Sequence, residues 1–289
     1  MPKNENVDLL MVYPPWTVLS SRGILTNALP PLGILTIAAH AERQGYNVKV
    51  IDIHVERLSQ ADFHDLVAQY KPKIVGVTVL SSMISVTHAI IKEVKEIVPS
   101  CKTVVGGVHA ELFPEEMLSN PSLDFVVRGD GEDPILELLG QKAKQDIRGL
   151  IYRNENDDGI VINPLQEIRM DLDFYPMPAY HLVDMNKYFP SASSYKNLPA
   201  SNVIMTRGCP GKCTFCNSAR TVLRSHSPRR IFEQIKNLRE TYGIRQIQFY
   251  DDTFTVNKRG VFELCDLLIE DETDITFSCY ARGDCWSED

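Results

Sequence analysis

The sequence predicts an α/β protein: a doubly wound, flavodoxin-like parallel sheet, followed by part of a (β/α) barrel. Three observations carry this. Runs rich in Val and Ile at Val7–Val12, Val48–Ile53, Ile74–Leu80, Thr103–Val105 and Phe125–Arg128 alternate with segments of helical periodicity. Buried parallel strands joined by crossover helices produce that alternation. The rhythm breaks near residue 149 and resumes at Asn202. The 289 residues suffice for one large or two ordinary domains. We therefore expect a first domain over residues 1–145, a hairpin and linker over 146–199, and a barrel portion over 200–289.

In the first domain, Gly45 follows Ala38–Gln44 as a helix-ending glycine would. Phe63, Leu66, Val67 and Tyr70 share one helical face, with Ser59 placed to cap it. Ile151-Tyr152-Arg153 and Ile160-Val161-Ile162 flank the polar Asn154–Gly159 and read as a β-hairpin. Asp171–Pro199 is rich in Pro, Tyr and Asp without periodicity, and reads as a linker packed on the surface of both domains. A strand at Val203–Met205 then runs into a cysteine-rich loop. A helix follows, with Ser227 as N-cap, Pro228 at its first position, Ile231, Ile235, Leu238 and Tyr242 on one face, and Gly243 as the stop. A strand at Gln246–Tyr250, a helix from Asn257 to Glu270, a strand at Ile275–Tyr280 and the polar segment Arg282–Asp289 complete the chain. Three strands do not close a barrel, so the sequence reads as a fragment, or as a chain whose fold another chain completes.

Composition narrows the function class. A hydrophobic share of 44% and a charged share of 24% suit a folded, water-soluble protein. The formal charge of −8 argues against a nucleic-acid-binding face. It fits an enzyme taking small or neutral substrates, and equally a charge that only aids solubility. The apolar run Val7–Val12 is too short for a signal sequence, and no stretch reaches the ~18 apolar residues that span a bilayer. Seven cysteines, an odd number, suit thiolate chemistry in the reducing cytoplasm better than a disulfide framework.

The strongest local signal is Cys209-Pro210-Gly211-Lys212-Cys213-Thr214-Phe215-Cys216. Thiolates are the usual ligands of iron–sulfur clusters, and this spacing lets one loop reach three corners of a cubane. Supplying only three leaves the fourth iron open, as a catalytic site requires. Gly208 and Gly211 remove side chains where the backbone must come close, and Arg207 or Lys212 could offset the cluster's negative charge. The alternatives are a zinc site with a distant fourth ligand and three unrelated cysteines. Zinc sites favour paired Cys-x-x-Cys units, and Cys265, Cys279 and Cys285 do not repeat the spacing. Cys265 shares an apolar helix face with Val261, Leu264 and Leu268 and reads as core.

A Cys-x3-Cys-x2-Cys loop, with an aromatic residue before the last cysteine and placed after the first strand of a βα repeat, resembles the radical S-adenosylmethionine (SAM) superfamily. The resemblance implies a [4Fe–4S] cluster on Cys209, Cys213 and Cys216. It implies SAM chelating the open iron, and reductive cleavage to a 5′-deoxyadenosyl radical that abstracts a substrate hydrogen. It places Phe215 against the adenine. Asp251 and Asp252 stand where the family usually carries a Gly-Gly-Glu-like segment for the SAM amino group, here without the glycines. The other reading of these two is a strand-end turn and helix cap. Arg282 is a candidate for the SAM carboxylate or an ordinary surface arginine. The resemblance also implies a small-molecule substrate and an external electron donor such as flavodoxin or ferredoxin.

The first half is similar to the cobalamin-binding domain of one radical SAM branch, which includes anaerobic porphyrin-ring cyclases, hopanoid-modifying enzymes and methyltransferases acting on unactivated carbons. Tyr13-Pro14-Pro15, Pro30-Pro31-Leu32-Gly33, Val105-Gly106-Gly107-Val108-His109, Arg128-Gly129-Asp130-Gly131-Glu132 and Asp171–Pro178 carry the likeness. Cobalamin is thus the expected third cofactor. In doubly wound sheets ligands bind beyond the C-terminal strand ends, here the loops at Tyr13–Trp16, Ser81-Ser82-Met83 and Gly106-Gly107. Ser81, Ser82, Gly106, Gly107 and His109 are the candidate contacts. Gly106-Gly107 also reads as a simple tight turn. His54 lies in Asp52-Ile53-His54, but Arg57 replaces the glycine of the Asp-x-His-x-x-Gly pattern, so it reads as a polar loop histidine rather than a cobalt ligand. Two other readings stay open: a radical SAM enzyme whose first domain is only a scaffold, and a non-catalytic metal-binding module.

Overall fold

The computed structural model describes residues 6–15, 28–157 and 159–285. They fall into two compact units. The first is built from residues 6–15, 33–167 and 178–183, the second from 28–32, 168–177 and 184–285.

In the first unit, β1 (Leu9–Tyr13), β2 (Val48–Asp52), β3 (Ile74–Thr78), β4 (Lys102–Gly106) and β5 (Phe125–Val127) are parallel and lie in the order β2-β1-β3-β4-β5. This is the flavodoxin-like order, with its switch point between β1 and β3. Helices α1 (Leu32–Arg43), α2 (Ile53–Glu56), α3 (Gln60–Tyr70), α4 (Ile84–Ile97), α5 (Val108–Leu112), α6 (Pro114–Leu118) and α7 (Glu132–Leu139) intervene. Leu9, Leu10, Met11 and Val12 are all buried, as a strand covered on both faces requires. Ser59 forms a reciprocal capping box with Asp62 at the start of α3.

The hairpin expected between the domains instead extends this sheet. Strands β6 (Leu150–Arg153) and β7 (Ile160–Ile162) add antiparallel beyond β5. The reason is the open row of backbone groups on β5, which pairing satisfies. Arg153 strengthens the join by donating to the carbonyls of Leu118, Asn120, Pro121 and Leu123. The linker, read as a surface segment, is also largely anchored: Leu172, Tyr175, Tyr180, Met185 and Tyr188 are buried. Two of its turns are Asx turns, with Asp171 and Asp184 accepting from the amides of Asp173 and Asn186.

The second unit holds a parallel sheet of β8 (Ala200–Val203), β11 (Gln246–Phe249) and β12 (Thr276–Cys279), with β11 central. A two-stranded antiparallel ladder, β9 (Thr206–Arg207) and β10 (Arg224–Ser225), brackets the cysteine loop. Helices α8 (Pro228–Tyr242) and α9 (Lys258–Glu270) cross between the parallel strands. Ser227 caps α8 through the Arg230 amide, and Asn257 caps α9 through the Gly260 amide. No helix among the described residues is long and apolar enough to cross a membrane.

Candidate functional site

The cysteine loop leaves the end of β8 through β9 and returns through β10. Gly208 has φ +88°, and a Cβ there would lie 2.3 Å from the Val222 carbonyl oxygen. Only glycine fits that backbone and that space. Thr221 closes the neck of the loop: its hydroxyl accepts from the Cys209 amide at 2.8 Å and its amide donates to the Cys209 carbonyl at 3.1 Å. The Arg220 amide donates to the Gly211 carbonyl at 2.8 Å.

The three thiols are free and differ in exposure. Cys209 is buried, Cys213 half-buried and Cys216 exposed. The Cys209 sulfur sits 3.8 Å from the Thr253 hydroxyl. The Cys213 sulfur accepts from the Arg282 guanidinium at 3.2 Å. The same guanidinium holds Asp284 through two hydrogen bonds, at 2.8 and 2.6 Å, and the Asp284 carboxylate raises the already high pKa of Arg282. Among the described residues no three His, Cys, Asp or Glu side chains converge as a metal-ligand group, so the thiols share the loop without meeting at a point. Phe215, 91% exposed, projects from the loop into solvent.

Asp251 and Asp252 part company at the end of β11. Asp251 is buried. It accepts from the Met205 amide at 3.2 Å, the Thr206 amide at 2.5 Å and the Thr206 hydroxyl at 2.6 Å. Burial pushes its carboxyl above the usual range, and these hydrogen bonds pull part of the way back. Its carboxylate therefore clamps the strand that launches the cysteine loop. Asp252 is exposed. Thr253, which the sequence reading passed over, is buried, and its hydroxyl donates to the Asp252 carbonyl at 2.7 Å. Its place directly after the two aspartates was the available signal.

In the first unit, Ser81 and Ser82 are exposed just beyond β3, in a short 3-10 turn. Gly106 ends β4; a Cβ there would meet only the Val127 carbonyl oxygen, at 3.8 Å. Gly107 has φ +101°, and its Cβ would press on the Val79 backbone at 3.0 Å. His109 is buried against Phe113. Its Nδ1 lies 3.1 Å from the Ser81 hydroxyl and its Nε2 3.4 Å from a Glu116 carboxylate oxygen. Ser81, Gly107 and His109 thus lie together beyond the ends of β3 and β4, and Glu116 joins them unpredicted, from α6. His54 lies apart, on α2 after β2, half-buried; burial, and then Arg57, lower its pKa. Trp16, in the third candidate loop, is outside the described residues.

Comparison with known proteins assigns these two units a class. Residues 24–139 match the model of the B12 binding domain, and residues 203–284 that of the Radical SAM superfamily. The chain thus matches a B12 binding domain in its first half and a radical SAM domain in its second, the pairing that the sequence resemblance implied. Among curated relatives, an uncharacterized methyltransferase of Pyrococcus horikoshii is 32% identical over 97% of this chain and 61% of its own length. The cytidylyl-2-hydroxyethylphosphonate methyltransferase of Streptomyces wedmorensis is 27% identical over 78% of this chain and 51% of its own length. The anaerobic magnesium-protoporphyrin IX monomethyl ester cyclase of a Synechocystis strain is 28% identical over 96% and 56%. The chain therefore spans 51–61% of the length of these relatives. Among solved structures, the cobalamin-dependent SAM radical enzyme OxsB with aqua-cobalamin bound has a TM-score of 0.78 at 18% identity, covering 96% of this chain and 39% of that one. The radical SAM methyltransferase TsrM of Kitasatospora setae, with cobalamin and a [4Fe-4S] cluster bound, has a TM-score of 0.66 at 20% identity, covering 92% and 50%. At these identities the two structures show a shared fold.

Proposed function

We propose that the chain serves a cytoplasmic radical SAM enzyme, with a [4Fe–4S] cluster on Cys209, Cys213 and Cys216 and cobalamin in the first unit. The observation that carries this is the bracketed loop: three free thiols on a backbone that only glycine permits at Gly208. The donor set fits an iron–sulfur cluster, because three thiolates from one loop leave one iron position of a cubane open. The chemistry supplied when the cofactors are bound is reductive cleavage of SAM, leading to methyl transfer or oxidative cyclisation at an unactivated carbon.

Each residue has a part in this. Phe215 offers an exposed ring face for the adenine. Asp252 is the carboxylate available for an amino group, while Asp251 holds the strand. Arg282 offers a guanidinium to a carboxylate beside Cys213. In the first unit, Ser81 and Ser82 give hydroxyls and Gly106-Gly107 close backbone approach to a nucleotide-like tail, with His109 behind Ser81. We assign cobalamin binding to the first 145 residues and the cluster to residues 200–289, with the segment between as hairpin and linker. The substrate is a small molecule, and the electron comes from an external carrier protein.

Anaerobic reconstitution tests the reading. The chain should take up about four iron and four sulfide, as one cubane does, and Cys213→Ala should abolish uptake. Full iron retention by Cys213→Ala refutes it. Hydroxocobalamin titration tests the first unit separately, and a folded chain that binds none would leave that unit as a scaffold.

A further inference from the structure

Gln246 and Gln248 lie two apart on β11, so they present their side chains to one face of the sheet. Thr276 and Ser278 stand directly opposite them on β12. Tyr250 and Tyr280 follow at the strand ends, with ring centroids 6.0 Å apart. These six residues line a cavity of about 550 Å³ within the second unit, a size that suits a small molecule. Layers inside a (β/α) barrel are usually filled by branched apolar side chains. Here two glutamines are buried instead, which is costly unless their amides find partners.

The two glutamines differ in what they bond. The Gln246 side-chain oxygen accepts from the Lys196 amide at 2.7 Å, the Asn197 amide at 3.1 Å and the Thr276 hydroxyl at 3.2 Å. Its nitrogen donates to the Ser194 carbonyl at 3.1 Å. Gln246 thus fastens residues 194–197 to the sheet. The Gln248 nitrogen donates to the same carbonyl at 2.8 Å and to the Ser194 hydroxyl at 3.1 Å. A carbonyl only accepts, so this bond fixes which end of the Gln248 amide is the nitrogen. The Gln248 oxygen takes no hydrogen bond from any described residue, although Gln248 is only 4% exposed. The Ser278 hydroxyl opposite it has no partner among the described residues either. No Asp or Glu is among the described residues that line the cavity, and their one charged side chain, Lys196, is exposed.

We propose that this cavity takes the uncharged part of a substrate, an apolar body bearing an amide N–H or a hydroxyl, and that Gln248 selects it. The tyrosine rings cover the body and the donor meets the Gln248 oxygen. The Ser278 hydroxyl donates or accepts, according to the group beside it. A carboxylate would set its oxygens against the Gln248 oxygen with no proton between them, and a cation would find no carboxylate. A site built around an unmet hydrogen-bonding group rejects analogues that cannot supply the partner. Lys196 makes a carboxylate the rival occupant, but its charge is exposed and so screened by water and salt. The reaction carried out on such a substrate rests on the proposed function, whereas its recognition here does not.

The test uses the whole chain and four probes. Benzamide, benzoate, benzamidinium and methyl benzoate share one ring and differ in charge or in the donor. Their binding is titrated by ligand-observed NMR. Benzamide should bind about tenfold or more tightly than each of the others, the discrimination that one good hydrogen bond gives. Gln248→Met, similar in size but without the acceptor, should erase that preference. Ser278→Trp, at an exposed position of an edge strand, should fill the cavity and abolish benzamide binding with circular dichroism unchanged. Equal affinity of the wild type for all four probes overturns the proposal. So does benzamide binding that neither variant alters. Benzoate binding tightest, and lost in Lys196→Ala, overturns it in favour of an anion site. A chain that takes up no iron yet prefers benzamide in this way refutes the cluster and keeps the cavity. One that loads iron but binds none of the probes keeps the cluster and refutes the cavity.

Discussion

Asp251 shows how one residue type at one position can serve the strand rather than the ligand. Its two oxygens meet three donors, from Met205 and Thr206. Asp251→Ala would leave two amides and a hydroxyl without partners in a buried place, costing about 3 kcal/mol. Urea unfolding followed by fluorescence should show this loss, and iron uptake should fall with it although no thiol is touched. The raised pKa has a defined sign. Between the ordinary aspartate value and the higher folded value, the folded chain holds a proton that the unfolded chain has released. Stability therefore falls as pH rises through that window and levels off above it. In Asp251→Asn that part of the pH slope should vanish. A slope equal to wild type would show that Asp251 titrates normally.

At the scale of the element, the loop and the helix after it respond differently to small changes. Gly208→Ala would bring a Cβ to 2.3 Å from the Val222 carbonyl oxygen, and that atom belongs to the backbone bracketing the loop. The loop must open to accept it, so iron uptake should drop severalfold or more while helical circular dichroism stays near wild type. Ser227→Ala removes the cap hydrogen bond to Arg230. It should cost about 1 kcal/mol in stability and leave iron uptake intact. If the two variants lose iron equally, the loop is less constrained than its geometry shows.

At the scale of the whole molecule, the proposed function assigns one ligand to each of the two units. Substitution at Gly107 does not report cleanly on cobalamin, because at φ +101° its Cβ would press on Val79 whether or not a ligand is present. Ser82 is exposed beyond β3 and free of that constraint. Ser82→Trp should block hydroxocobalamin binding by placing an indole beyond the end of β3, with the unfolding free energy unchanged within about 0.5 kcal/mol. His54→Ala should leave binding unaltered, since His54 lies off the switch point on α2. Loss of binding in His54→Ala with retention in Ser82→Trp would move the site to the end of β2.

Periodicity and spacing made the five parallel strands, the caps at Ser59 and Ser227, the stop at Gly243 and the three-cysteine loop legible, because each depends on residues near one another in sequence. The hairpin at β6 and β7 was legible as a hairpin. Its attachment to β5 was not, since an open sheet edge is a property of assembled strands. The same holds for the linker, whose buried Tyr175, Tyr180 and Tyr188 show no period but fill space that only the folded units create. Asp251 and Asp252 are adjacent and chemically identical. Chain direction past the end of β11 turned one inward to Met205 and Thr206 and left the other outside. His109 meets Ser81 across 28 residues because β3 and β4 are neighbours in the sheet, and Glu116 reaches the other side of His109 from α6. Local sequence thus determined which elements and which ligand atoms exist. Contacts between elements decided which of those atoms are available, since burial and hydrogen-bond satisfaction are set by neighbours remote along the chain.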